Sequence, residues 1–110
     1  MGGKALRHLV QFFHDYFPVG WERRWARASE AVEAFVRDER PGLVRLALDD
    51  LERLLDTGPD EHGLRKELHA LDCHYQPWYE GSSASAWLDE LRERFSHALY
   101  GASAERTRHA

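Results

Sequence analysis

Apolar residues recur along this chain at three- and four-residue intervals, and no useful stretch alternates with the two-residue period of a strand. That spacing restricts the chain to helices, each apolar on one side only. Leu6, Leu9, Val10, Phe13 and Phe17 mark a first stripe, widened by Phe12 and Tyr16 and closed by Pro18 and Gly20. Ser29 is placed to cap a second helix, whose apolar side is Val32, Phe35 and Val36. Pro41 suits the first turn of a third helix, where a missing N–H costs nothing. Its stripe is Val44, Leu48, Leu51 and Leu55, with Ala47 and Leu54 beside it. Gly58 ends that helix and Pro59 opens a fourth. There Asp60 and Glu61 occupy the first turn, and Leu64, Leu68 and Leu71 form the stripe. Ser82 or Ser83 caps a last helix bearing Ala84, Trp87, Leu88, Leu91, Phe95 and Leu99.

None of these helices can bury its stripe alone, so the expected fold is all-α, a single compact bundle of about five amphipathic helices. A chain of 110 residues suits one domain. Residues 1–100 hold every stripe. The tail at 101–110, "GASAERTRHA", has none and is expected to be flexible. Two non-helical joints remain, Pro18 to Ala28 and Asp72 to Gly81. Both are unusually aromatic: "CHYQPWYEG" crowds Tyr75, Trp78 and Tyr79 around Pro77.

Composition narrows the function. The net charge of −4 disfavours nucleic acid or anionic lipid as a direct partner. Cys73 is the single cysteine, so no internal disulfide forms, which fits a reducing compartment. The start carries no apolar signal region, and no apolar run approaches a membrane span, so a cytoplasmic protein is expected. His69 and Cys73 are four residues apart with His74 adjacent, but no further metal-ligand spacing accompanies them. Cys73 could be paired with His14, His69 or His97 as a nucleophile, yet no catalytic signature surrounds it. No glycine-rich phosphate loop is present. Neither catalytic residues nor a metal or cofactor is expected, so the chain reads as a non-enzyme. In "WERRWAR", Trp21 and Trp25 are expected to pack inward beneath Arg23, Arg24 and Arg27.

Charge is unevenly spread. Six acids and one base, Arg53, lie between Asp49 and Glu61. Asp49, Glu52 and Asp56 share one ridge of the third helix, and Asp60 and Glu61 extend it past Gly58. Such a ridge is either a solvated face or a docking surface for a basic partner.

The segments "FFHDYFPVGW" and "LDCHYQPWYEGSSASAWLDEL" bring a family into view. The chain resembles the immunity proteins of bacterial contact-dependent growth inhibition systems. The matching positions are Phe13, Tyr16, Phe17 and Trp21, the stretch "LERLLDTGPDEHGLRKEL", and Leu71, Tyr75, Pro77, Gly81, Ser82 or Ser83, Trp87 and Leu88. The family pattern has an acidic residue where this chain has Gly20, and a glycine after Leu71 where it has Asp72 and Cys73. The resemblance covers roughly Leu6 to Leu99. It implies a protein that binds and neutralises the toxin C-terminal domain delivered by a neighbouring cell, by stoichiometric inhibition. Many such toxins are nucleases with basic grooves, which an acidic ridge would suit. Tyr75, Pro77 and Trp87 are then structural. Trp78 and Tyr79 fall outside the pattern and join Asp49, Glu52, Asp56, Asp60 and Glu61 as expected toxin contacts. The runner-up is a small helical adaptor without a toxin partner.

Overall fold

The computed structural model describes residues 6–109, with side chains described for residues 6–101. Five α-helices and two short 3-10 turns make up the described chain, and no strand occurs among these residues. The helices are α1 (Arg7–Tyr16), α2 (Ala28–Asp38), α3 (Pro41–Asp56), α4 (Glu61–Ala70) and α5 (Ala84–His109). The turns, Trp21–Arg23 and Pro77–Glu80, sit inside the two aromatic joints. The backbone of α5 leaves helical geometry at Gly101. The side chains of residues 102–110, where a flexible tail is expected, lie outside those described.

α3 is the axis of the bundle, packed against α1 on one side and α5 on the other. All the stripes drawn from the sequence meet in one core, with Phe12, Phe13, Phe17 and Phe95 at its centre. Phe12 alone touches the rings of Phe13, Tyr16, Phe17, Phe35 and Phe95, at centroid distances of 4.5–5.8 Å. Burying each such ring stabilises the fold by about 1.5–3 kcal/mol, and favourable ring pairs add roughly 0.5–1.5 kcal/mol.

The joints close one end of this core. The His74 amide donates to the Phe17 carbonyl at 3.0 Å, which lays the two joints side by side. Trp21 and Trp87 then pack edge-to-face on Phe17, and Tyr75 lies tilted on Phe17 and edge-to-face with both indoles. All three are buried, so the aromatic joints serve the core. The Tyr75 hydroxyl donates to Glu80 at 2.9 Å. Burial first, then that carboxylate, pushes its ionisation far above the ordinary tyrosine range. Trp25 is only half-buried. It stacks on Tyr16 and carries the Arg24 guanidinium over its face at 5.1 Å.

Several caps differ from the local expectation. α2 begins one residue before Ser29, and Glu30 reaches back to accept from the Ala26 amide at 2.9 Å. α4 begins at Glu61 with Asp60 as its N-cap, its carboxylate accepting from the Gly63 amide at 2.8 Å. Of the two serines before α5, Ser83 accepts from the Ala86 amide at 3.0 Å.

The C-terminus of α4 explains the departure at Asp72. The Cys73 amide donates to the Leu68 carbonyl, and the Asp72 amide to that of His69. These are the two bonds of a Schellman stop, which needs a left-handed residue at Asp72; its φ is 65°. Aspartate tolerates that conformation less well than glycine does. Asp72→Gly is therefore expected to stabilise the protein by about 0.5–1 kcal/mol in urea unfolding, the relief of strain exceeding the extra entropy of the unfolded chain. A destabilised variant would show that the aspartate side chain contributes more than its backbone strain costs.

Candidate functional site

The outer face of α3 gathers the first three expected contact residues. Asp49, Glu52 and Asp56 are all exposed. They make no hydrogen bond or ion pair among the described residues. Asp49 and Asp56, seven residues apart, share one line along the helix, and Glu52 lies beside it. Two arginines interrupt this face. Arg45 precedes Asp49 by one turn, and Arg53 turns back to the buried carboxylate of Asp50. Leu46, 41% exposed, flanks Asp49 one turn earlier, whereas Leu43, 39% exposed, lies on another side of the helix near its N-terminus. Neither belongs to the buried stripe of α3.

Asp60 and Glu61 have other employment. Asp60 caps α4, as above. Glu61 accepts from the Ala84 amide at 2.7 Å and the Ser85 amide at 3.0 Å, and so caps α5 from 23 and 24 residues away. Arg65 pairs with the same carboxylate at 3.0 Å. Desolvation opposes the charge on Glu61. The Ser85 and Ala84 amides and the Arg65 guanidinium together outweigh it and hold the carboxyl below the ordinary glutamate range.

Arg65 also lies over the ring of Trp78 at 4.7 Å, so one guanidinium brings Glu61 and Trp78 together. Trp78 is half-buried against the core, whereas Tyr79 is 77% exposed beside it. The seven expected contacts thus form two groups, the α3 face and the cluster around Arg65.

The chemistry set aside from sequence can be weighed on geometry. Cys73 is 5% exposed, and its Sγ donates to the Tyr75 carbonyl at 3.4 Å. Burial pushes its thiol up to about 12, which keeps it protonated and weakly nucleophilic at neutral pH. Among the described residues, no three side chains of His, Cys, Asp or Glu are placed to hold a metal ion. No helix there is long and apolar enough to cross a membrane.

What remains is a helical bundle whose joints bury Trp21 and Tyr75 and expose Tyr79, and whose other exposed chemistry is charge and a few large apolar groups. The family model for CdiI immunity proteins matches residues 5–95. The chain belongs to the CdiI immunity protein family. The matched span runs from the start of α1 into α5 and includes both aromatic joints. Searches of curated proteins and of solved structures gave no match. An immunity protein of this family neutralises a toxin.

Proposed function

We propose that this CdiI-family protein acts in the cytoplasm as a one-to-one inhibitor of its cognate toxin domain, and that this toxin is a nuclease with a basic substrate groove. The observation that carries this reading is the α3 face. Asp49, Glu52 and Asp56 stand exposed on the central helix and form no hydrogen bond or ion pair among the described residues. Carboxylates held this way speed encounter with a cationic surface and fix its register. Leu46 supplies adjoining apolar area, which an all-charged surface would lack. Tyr79 offers an exposed ring of the kind enriched at binding hot spots. Asp60 and Glu61 contribute by fixing the starts of α4 and α5.

The test uses the toxin domain encoded beside this gene. Co-expression with the immunity protein should restore growth to cells making that toxin. Purified immunity protein should abolish its cleavage of nucleic acid at one molar equivalent, without added cofactor. A toxin that cleaves nucleic acid undiminished at several equivalents would refute the proposal.

A further inference from the structure

A second recessed surface lies away from α3. Between α2, α5 and the joint before Glu80, a cleft of about 600 Å³ opens to solvent. Its floor includes the largely buried side chains of Val32, Leu91, Tyr75 and Trp87. Its rim carries Glu90 and Glu93, both exposed on α5, which make no hydrogen bond or ion pair among the described residues. The other charges of the lining are mixed, with Arg27 and His97 beside the acids. Glu33 and Arg94 pair across the cleft from α2 to α5, and Glu80 accepts the Tyr75 hydroxyl. No residue of α3 contributes to this lining.

We propose that this cleft is a second contact surface for the toxin domain, and that it takes up an arginine side chain presented by that domain. The proposal rests on the inhibitor reading above and adds a site to it. The cleft suits an arginine in both its parts. The aliphatic stem packs on the apolar floor, and the guanidinium at its end reaches the carboxylates of the rim. Glu90 and Glu93 then accept its N–H groups, a pairing whose geometry favours guanidinium over ammonium. The volume exceeds one side chain, leaving room for the backbone that carries it. An apolar occupant would leave the two rim carboxylates facing a dry surface without partners.

Two variants test this against the toxin domain encoded beside the gene. Glu90→Gln with Glu93→Gln removes the rim charge and keeps the shape. Ser29→Trp places bulk in the mouth of the cleft, where Ser29 is exposed in the first turn of α2. Both should keep the wild-type helical spectrum, since neither touches the core. Each is expected to weaken toxin binding at low salt roughly thirtyfold or more. The loss for the glutamine pair should shrink at high salt, while that for Ser29→Trp should persist. Wild type that binds the toxin while both folded variants bind within about threefold of it would overturn the cleft and leave the inhibitor reading standing. Wild type that does not bind would overturn both.

Discussion

Asp50→Ala is expected to remove about 3–5 kcal/mol of folding stability, a large part of the total for a domain of this size. Asp50 is the one charged residue fully buried among those described. Its Oδ2 accepts from the backbone amides of His8 at 2.8 Å and Leu9 at 3.1 Å. Those are the second and third residues of α1, whose N-cap position holds Leu6, a side chain with no acceptor. Asp50 therefore performs from α3 the task a local serine or aspartate usually performs, and its charge also complements the positive end of the helix. Its other oxygen accepts from Arg53. Alanine would leave two amides without acceptors in a dry interface, each costing about 1–3 kcal/mol. Arg53 can return to water, since its side chain is 61% exposed. Asp50→Asn keeps one acceptor oxygen and should lose less, about 1–2 kcal/mol. Urea unfolding checks both. An alanine variant within about 1 kcal/mol of wild type would mean that α1 does not depend on this cap.

Asp50 also shows where reading the sequence stops. The helix stripes were legible because burial leaves a local period: Val44, Leu48 and Leu51 are buried as their spacing demands. Pro41 was legible as a helix start for the same local reason. The cap of α1 was not, and at α5 only the local cap, Ser83, was. Asp50 lies 41 and 42 residues from its partners, and Glu61 lies 23 and 24 from its own. Nothing near those helix starts records such partners. From sequence, Asp50 was one of a pair of adjacent acids and Glu61 one more charge on a ridge. In the fold both are internal ties. The ring-rich joints were ambiguous for a related reason. Tyr75 and Trp87 gain their burial from Phe17 and Trp21, in another part of the chain. Trp78 and Tyr79 are neighbours in sequence, yet one is half-buried under Arg65 and the other projects.

The second large effect concerns binding. Asp49→Lys with Asp56→Lys should leave the fold nearly unchanged and weaken the toxin complex strongly. Both positions are exposed, so each reversal alone should fall near ±0.5 kcal/mol in stability. A lysine at 49 would follow Arg45 by four residues and precede Arg53 by four, and each like-charge neighbour adds about 0.2–0.5 kcal/mol of cost. The folded population barely moves on that scale. At the complex the change is larger, because two attractive charges become repulsive against a basic surface. Rim charges act mainly on the association rate and are screened by salt beyond a Debye length of about 8 Å at physiological ionic strength. A carboxylate buried and paired at the interface would also slow dissociation, at about 2–5 kcal/mol on truncation. The loss should therefore reach about a hundredfold at low salt and narrow as salt is added.

The most direct measurement is a titration of the adjacent toxin domain with wild type and this double variant at two ionic strengths, with helical spectra confirming that both are folded. Inhibition through the acidic face of α3 predicts tight one-to-one binding by wild type and a large loss for the variant at low salt that shrinks at high salt. Equal affinities of the two proteins at low salt would contradict it and leave that face merely solvated.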